Sequence, residues 1–524
     1  MDILKLDLNK TEPELPTESE VRFQVAFLAA VSAVVASFVA RFLFDAPLVP
    51  ELLAQFIFAV APIWMVEVAV GLLGPFAKHL AFLACTVIYL TALMGSVIAL
   101  LRFTRRVGTN LTPFSLSISF ALAIWLVTMT VILPVLGVGF FGSFLRQGIV
   151  YSSISLMIVH TIFGLALVVS KRRYIDRGNT REVGAIIGRR RVVRGVGYSV
   201  LAVGVYDIAK SLIGSWLESG SGRVKDGNGQ FPNIDNLALE ITPNKDFYQV
   251  SKNAFDPQVD ARRWKLQIAG LVENPFELTY ADIKSLPAVE QYATLACISN
   301  EVGGDLIGTA LWKGVRLRDV LERGGLREGV IDIALHASDD YTDSIPLERA
   351  MANETLLVYE MNGEPLTLEH GYPVRLLVPG IYGMKNVKWI TRIEPVAFDL
   401  KGYWQRRGWD DRAEYKTLSR IDAPDSRFKG ETSIAGIAFA GDRGISKVEV
   451  STDGGATWEQ ANIKNGLSSL TWVLWEKRWK PEHSGKHRLV VRATDGRNQT
   501  QTSQYATPAP SGSSGYHSVV VSSD

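Results

Sequence analysis

Cys297 is the residue of this sequence whose type and setting best suit metal chemistry. It lies in "TLACISNEVGG", residues 294–304, at the end of a predicted strand, and Cys85 is the other of the two cysteines. A thiolate is a soft metal ligand, whereas an unligated cysteine is among the most buried residue types and packs as a small hydrophobe. Two cysteines provide neither a CxxCH haem attachment, nor paired CxxC zinc spacing, nor a disulfide framework. Any chemistry at Cys297 must therefore depend on one thiol.

The composition limits the classes of protein that this chain can belong to. It has 524 residues, 47% of them hydrophobic, and a formal net charge of +2. The length predicts several domains, and the balanced charge excludes nucleic acid as an expected partner.

The apolar residues are concentrated in the first third of the chain. Five stretches are each long enough to cross a hydrocarbon core, which takes about 20 helical residues; they are roughly 23–44, 51–74, 79–101, 115–141 and 149–170. They predict a membrane bundle, with membrane lipid as a partner. The basic loops "LRFTRRVG" and "KRRYIDRGNTREVGAIIGRRRVVRG" are expected on the cytoplasmic side. Alternation over five spans then places the N-terminus outside.

The second basic loop contains a pattern that resembles a twin-arginine export signal. Arg189, Arg190, Val192, Val193 and Arg194 fill its places, and a modest apolar run follows. The alternative is a basic cytoplasmic flank on a sixth helix. No small-residue cleavage site follows, so we expect the sixth helix, about 195–217, to remain as an anchor. The rest of the chain is then extracytoplasmic, on a multi-pass cell-membrane protein.

Four blocks beyond residue 300 resemble the molybdopterin domain of the sulfite oxidase family in their order and spacing. The blocks are "GTALWKGVRLRDVLERGGL", "HASDDYTDSIPLERAM", "LLVYEMNGEPLTLEHGYPVRLLVPGIYGMKNVKWITRIEPV" and "GYWQRRGW". The resemblance runs from about residue 241 to the end. It implies a molybdenum-molybdopterin cofactor, in which the metal is held by a pterin dithiolene and one protein thiolate, here Cys297.

The resemblance also implies roles for other residues. Tyr341 is the catalytic phenol expected to face the metal, and Lys385 is an auxiliary cation near the cofactor. The residues implied in cofactor binding are Tyr248, Gln249, Cys297, Ser338, His370, Arg375, Asn386, Val387 and Lys388, the last three at the phosphate end. On the other interpretation, Arg375 and Lys388 are strand-edge charges, and Tyr341 is an aromatic residue in a turn.

The sequence departs from the family where an anionic substrate would bind. Glu301 and Val302 stand where sulfite oxidases have a pair of arginines, and Lys252 replaces another arginine. The remaining cationic candidates are Arg406, Arg407 and Arg412. Three hypotheses therefore stay open for the function: sulfite-type oxidation of a small-molecule substrate, reduction of a sulfoxide-like small molecule, and a non-catalytic membrane binding module that retains the fold.

The last hundred residues predict an immunoglobulin-like β-sandwich. "ISKVEVSTDGGATWEQANI" contains two alternating segments around a turn, which is a strong hairpin pattern. Such a block resembles the family's dimerisation domain and implies a homodimer. Its tryptophans are expected in the core or an interface; they are Trp458, Trp472, Trp475 and Trp479.

The fold prediction is therefore multi-domain: an α-helical membrane bundle, a mixed α+β molybdopterin domain and the sandwich. The predicted boundaries are 1–22 for an N-terminal tail, 23–217 for the membrane domain, 218–240 for a linker, 241–415 for the molybdopterin-binding domain and 416–524 for the dimerisation domain.

Electrons must reach or leave the cofactor domain through another group. The soluble half lacks haem and iron–sulfur patterns, and the bundle contributes only His79 and His160, which come from different depths. We therefore expect a separate electron-transfer partner, a cytochrome or a quinone-linked protein. Ionisable residues inside the bundle mark functional candidates, namely Glu67, His160 and Asp207.

The export hypothesis makes a direct prediction. Changing Arg189→Lys and Arg190→Lys together should leave the β-rich half inside the cell, because this export route resembles one that reads the arginine pair. Protease accessibility in intact cells measures the side. Normal surface exposure of the double variant would count against the hypothesis.

Overall fold

The computed structural model describes residues 17–62, 65, 69, 76–107, 111–145, 147–172, 231, 234–253 and 256–524. The chain forms two compact units, one helical and one that contains residues 220–524. The twin-arginine pattern, the sixth helix, Glu67 and Asp207 lie outside the described residues.

The helical unit consists of long apolar helices. They are α1 (Glu18–Phe44), α2 (Val49–Val60), α3 (Phe76–Val107), α4 (Pro113–Val127) and α5 (Gly148–Lys171). A π-helical segment, Thr128–Ile132, and the turn Leu133–Val135 continue α4. Within the described part of the chain, four segments are long and apolar enough to cross a membrane: Glu18–Phe44, Ala77–Val107, Pro113–Val135 and Gly148–Lys171.

The second predicted span, 51–74, is wrong as one continuous helix. Helix α2 ends at Val60, and Ala61 and Pro62 are not helical. Proline disfavours helical backbone in the residue before it and cannot donate a hydrogen bond. The prediction from hydropathy identified the apolar run but took no account of the break at Pro62.

Alternation over five spans implies that α1 starts at the end opposite the first basic loop, and the helical unit has the other arrangement. Arg105, in the last turn of α3, donates a hydrogen bond to Glu18, in the first turn of α1, at 2.6 Å. At the other end of the unit, the Tyr151 hydroxyl in α5 donates to the carbonyl of Phe44. The start of α1 therefore lies at the same end of the helical unit as the last turn of α3.

His160 lies buried in the helical unit, opposite the π-helical segment. Its Nδ1 donates to the carbonyl of Leu156 at 2.7 Å, and its Nε2 lies 3.4 Å from the Thr128 hydroxyl. Both ring nitrogens thus have protein partners within the bundle.

The first part of the β-rich unit has two sheets. Their strands are β1 (Lys265–Ile268), β2 (Phe276–Thr279), β3 (Val289–Ala296), β4 (Ile307–Arg316), β5 (Asp332–Ala337), β6 (Thr342–Pro346), β7 (Leu356–Met361), β8 (Glu364–Pro365), β9 (Arg375–Leu377) and β10 (Ile390–Val396). One sheet has the order β2-β1-β10-β5-β6, and the other has β3-β4-β7-β8 with β9 beside β7.

Three short helices, α6 (Tyr280–Ser285), α7 (Leu317–Gly324) and α8 (Leu347–Ala350), accompany these sheets. The apolar face of α7 carries Leu317, Val320 and Leu321, which share a core with strands β1, β5 and β10. Strand β3 ends at Ala296, so Cys297 begins the following loop, as predicted from the sequence.

The C-terminal part is a two-sheet sandwich. Its strands are β11 (Leu418–Ala423), β12 (Arg427–Phe428), β13 (Thr432–Phe439), β14 (Ile445–Ser451), β15 (Glu459–Gln460), β16 (Asn462–Lys464), β17 (Val473–Trp479), β18 (Gly485–Asp495) and β19 (His517–Ser523). The sheets have the orders β11-β13-β17-β16 and β12-β19-β18-β14-β15 and share one apolar core. The predicted hairpin is confirmed, because Glu449 in β14 pairs with Gln460 in β15.

Trp475 should be the tryptophan on which the sandwich depends most. It is fully buried, and its indole N–H donates to the carbonyl of Ile437 at 3.0 Å. Trp475→Ala should destabilise the sandwich by about 3–5 kcal/mol. Trp458→Ala, at a partly exposed ring beside Arg492, is the matched control and should cost less. Urea unfolding of the full chain in detergent measures both; equal losses would contradict the assignment.

Candidate active site

Cys297 is held in place by main-chain hydrogen bonds around it. Its N–H donates to the carbonyl of Leu306 at 2.9 Å, which closes the loop between β3 and β4. The sulfur lies 2.9 Å from the Ser299 hydroxyl oxygen. Burial raises the pKa of the Cys297 thiol. The group is therefore a neutral thiol unless a metal cation stabilises the thiolate.

Three tyrosines lie within electrostatic reach of this sulfur. The Tyr415 hydroxyl accepts a hydrogen bond from the N–H of Ala296 at 3.0 Å, and its ring centroid is 4.7 Å from that of Tyr382. Burial raises the pKa of Tyr382 to about 12 and raises the pKa values of Tyr248 and Tyr415 well above the ordinary value. A negative charge on Cys297 raises all three further. These phenols thus remain protonated and act as hydroxyl groups around the thiol.

Arg375 begins β9 and is 5% exposed. It donates to the carbonyls of His370 and Asn386 at 3.2 and 3.3 Å, and its guanidinium lies 5.3 Å from the ring centroid of Trp312. Burial lowers the pKa of Arg375 to about 10, so the group stays charged at neutral pH. Because these partners are neutral carbonyls, the guanidinium retains a strong attraction for an anion.

Gly371 allows the segments that carry Arg375 and Lys388 to approach each other. Its φ is +105°, and a Cβ there would lie 3.0 Å from the Arg375 Cβ and 3.1 Å from the Lys388 Cβ. Beside it, His370 Nε2 donates to the carbonyl of Asn244 at 3.0 Å, and Lys388 Nζ donates to the carbonyl of Glu369 at 2.8 Å. The structure therefore brings three predicted cofactor residues together.

Other predicted cofactor residues have different surroundings. The Asn386 side chain accepts from the N–H of Val378 at 2.6 Å and donates to the carbonyl of Tyr382 at 3.2 Å. Val387 is buried, and Gln249 is exposed. Asn386 thus anchors the backbone of its own segment, while Gln249 lies at the surface.

Tyr341 is buried, and its hydroxyl has protein partners. Oη lies 2.8 Å from Asp343 Oδ2 and 2.9 Å from the carbonyl of Met384. Gly383, which precedes Met384, lies beside the cysteine site. A Cβ at this position would come within 2.5 Å of the Tyr248 hydroxyl and 3.2 Å of the carbonyl of Ala296, the residue before Cys297. The short 3₁₀ segment Gly383–Lys385 therefore contacts both Tyr341 and the cysteine site.

The cationic candidates for an anionic substrate fall into two groups. Lys252 Nζ lies 5.5 Å and the Arg407 guanidinium 3.5 Å from the ring centroid of Tyr403. That ring is 5.8 Å from the ring of Tyr341. Arg406 and Arg412 are exposed. Lys252 and Arg407 are thus the cations that the structure gathers near Tyr341.

The loop after Cys297 lines a small cavity that opens to solvent. Glu301 and Val302 line one side, and the segment that includes Arg420 lines the other. Arg420 donates to the carbonyl of Gly304 at 2.9 Å and pairs with Asp422 at 2.6 Å. The sequence analysis missed Arg420, because only the fold brings the sandwich against this loop.

A buried ion pair was missed as well. Lys385 Nζ lies 2.9 Å from Asp343 Oδ1, and both side chains are at most 2% exposed. Lys385 also donates to the carbonyl of Ser344 at 2.9 Å and to Asp411 at 3.2 Å. The family resemblance named Lys385 as an auxiliary cation, but it did not indicate the pairing with Asp343.

Comparisons with known proteins identify the family. The oxidoreductase molybdopterin binding domain matches residues 253–404, and the Mo-co oxidoreductase dimerisation domain matches residues 418–522. The sulfite oxidase of Arabidopsis thaliana is 31% identical over 313 residues, which is 48% of this chain and 79% of that protein. The chain belongs to the sulfite oxidase family of molybdopterin-dependent oxidoreductases.

Further known proteins are also similar to this chain. Rattus norvegicus mitochondrial sulfite oxidase is 32% identical over 307 residues, covering 49% of this chain, and the chain spans 56% of that relative's length. The crystal structure of the sulfane dehydrogenase SoxCD from Paracoccus pantotrophus aligns with a TM-score of 0.50 and 24% identity. It covers 58% of this chain and 89% of that chain, and shows a shared fold. The four apolar spans lie outside both matched domains.

The residues present fit the family's molybdenum-molybdopterin cofactor. Ser338 Oγ and Arg375 Nε are buried and have no hydrogen-bond partner among the described residues. Buried polar atoms are nearly always paired, and a pterin with a phosphate group offers acceptors for both. One buried thiol, Cys297, would supply the protein sulfur that the metal requires.

His370 should make the stability of this site depend on pH. Burial lowers the pKa of His370 to about 4, below the ordinary 6.5. The unfolded chain therefore binds more protons between these pH values, and the domain loses stability as the pH falls from 6.5 to about 4. The loss is about 3 kcal/mol at most.

Urea unfolding of the full chain in detergent at pH 7.5 and pH 5 tests this. His370→Asn should lose less stability between the two pH values than the wild type. The same loss in both proteins would contradict the assignment.

Proposed function

We propose that this chain is a membrane-anchored molybdenum-cofactor oxidoreductase that transfers an oxygen atom to or from a small substrate. Sulfite-type oxidation is the first version: sulfite and water yield sulfate, two protons and two electrons. The observation that carries the proposal is the buried thiol of Cys297, which has Tyr248 as an electrostatic neighbour in common with the buried guanidinium of Arg375.

The cofactor, when bound, supplies the two-electron redox centre. Cys297 is the proposed protein ligand of the metal, and Arg375 binds and orients the anionic part of the pterin. The further cofactor-binding residues proposed from the family pattern are Tyr248, Gln249, Ser338, His370, Asn386, Val387 and Lys388. The engaged side chain of Asn386 favours a role through its backbone.

Tyr341 is the proposed catalytic phenol. Its hydroxyl is buried and its pKa is raised well above the ordinary value by burial and by the charge of Asp343. It therefore stays protonated and can donate a hydrogen bond to a reacting oxygen. Lys252 and Arg407, which flank Tyr403, are the proposed cations for an anionic substrate.

Reduction of a sulfoxide-like substrate is the second candidate. The observation in its favour is that Glu301 and Val302 line the cavity after Cys297, where the family pattern would supply arginines. A neutral sulfoxide needs no cationic pair, whereas sulfite does.

The proposed location is the cell membrane, with the β-rich unit on the extracytoplasmic side. Four apolar spans support the anchoring. Their arrangement puts the start of α1 beside the basic end of α3, so the positive-inside rule places the N-terminus in the cytoplasm. The sixth predicted helix would then cross outward. The dimerisation domain supports a homodimer, and a separate cytochrome or quinone-linked partner would exchange electrons.

Cys297→Ser and Cys85→Ser form a matched pair that tests the function. Both thiols are buried, but only Cys297 is proposed to bind the metal. Cys297→Ser should fold and lose at least about 100-fold in activity, more than outer-shell changes typically cost, whereas Cys85→Ser should remain active. Sulfite-dependent dye reduction and sulfoxide-dependent dye oxidation are the paired assays on natively exported protein.

Each result decides between the hypotheses. Activity in one assay selects that direction. Silence in both assays, from protein that contains stoichiometric molybdenum and pterin, rejects both substrates. Protein without molybdenum and pterin after native export would reject the enzyme and favour the binding module.

A further inference from the structure

Four ionisable side chains form a continuous row from Tyr341 to the protein surface. The Tyr341 hydroxyl lies 2.8 Å from Asp343 Oδ2, and Asp343 Oδ1 lies 2.9 Å from Lys385 Nζ. Lys385 Nζ lies 3.2 Å from Asp411 Oδ1. Every link is short enough for a hydrogen bond.

The row reaches solvent at Asp411. Its side chain is 37% exposed, and its second oxygen pairs with the exposed Lys401 at 2.7 Å. Asp343 and Lys385, in contrast, are at most 2% exposed. The path thus has a buried inner end beside the proposed active site and an outer end in water.

Burying Asp343 and Lys385 is costly. Each charge loses its hydration, and a packed apolar pair often stabilises a core equally well. Burial raises the pKa of the Asp343 carboxyl, and Lys385 only partly offsets this effect. Burial also raises the pKa of Asp411, but hydrogen bonds and charges from Lys401 and Lys385 outweigh it, so this pKa is lowered.

The proposed reaction requires a route for protons. Oxidation of sulfite with one oxygen atom from water releases two protons and passes two electrons to an acceptor. The protons arise in a buried site and must reach solvent. Sulfoxide reduction, which consumes two protons and two electrons and forms water, would need the same route in the opposite direction.

We infer that Tyr341, Asp343, Lys385 and Asp411 form a proton path between the active site and solvent. This inference rests on the proposed function. Within the path, Tyr341 exchanges a proton with the reacting centre and Asp343 with Tyr341. Lys385 connects the two carboxylates, and Asp411 exchanges protons with water or buffer.

The chain supplies a matched control for the outer end. Asp399 pairs with the same Lys401 at 2.6 Å and is 60% exposed, but it is not one of the four residues of the row. Asp411→Asn removes the proton acceptor at the exit, whereas Asp399→Asn removes an equivalent surface charge. Because Asp411 is partly exposed, its replacement should leave the fold intact, which thermal unfolding and molybdenum content check.

In turnover with the active substrate, Asp411→Asn should lower kcat roughly tenfold or more. KM should stay near the wild-type value, and the solvent deuterium isotope effect should rise. Added formate, a small proton carrier, should restore kcat. Asp399→Asn should match the wild type in each measurement. Asp343→Asn should lower kcat further and respond less to formate, because its site is buried.

A second measurement is independent of turnover. Infrared spectroscopy of the resting protein follows hydrogen–deuterium exchange at the Tyr341 hydroxyl, whose band is identified by its loss in Tyr341→Phe. Asp411→Asn should slow this exchange, and Asp399→Asn should not. Unchanged exchange in Asp411→Asn, or equal slowing in both variants, would overturn the path. A wild type that contains the cofactor and is inactive in both assays would reject both proposed substrates, while the infrared result would still decide the path.

Discussion

The position of Cys297 depends on main-chain hydrogen bonds from two parts of the β-rich unit. The N–H of Ala296 donates to the hydroxyl of Tyr415, and the N–H of Cys297 donates to the carbonyl of Leu306. Tyr415 also packs against Phe439 in the sandwich. Because both domains contribute, the thiol is held where they meet. A metal ligand supplied by a single side chain needs this degree of positional control.

A second constraint is the short segment from Tyr382 to Asn386. Tyr382 packs against Tyr415, and Gly383 leaves room for the Tyr248 hydroxyl. Lys385 pairs with Asp343. Asn386 ties the end of the segment to the backbone. Few residues thus connect the thiol, the phenol of Tyr341 and the buried ion pair, so a shift of this segment would disturb all three together.

Several features followed from sequence pattern because their causes are local. The strand before Cys297, the hairpin around "DGG" and the apolar spans all reflect periodicity and turn chemistry. The error in the second span has a local cause too, since the prediction for 51–74 ignored the break at Pro62. Correct spacing in the family blocks placed His370, Arg375 and Lys388 in one candidate site.

The sequence by itself determined the family, the cofactor class and the residue types available for chemistry, because these depend on ordered motifs. Only the tertiary structure decided which charges face each other. Asp343 and Lys385 lie far apart along the chain, and the pairing of Arg105 with Glu18 reports how helices pack. Such contacts depend on the burial of apolar faces throughout each unit, which no short stretch of sequence encodes.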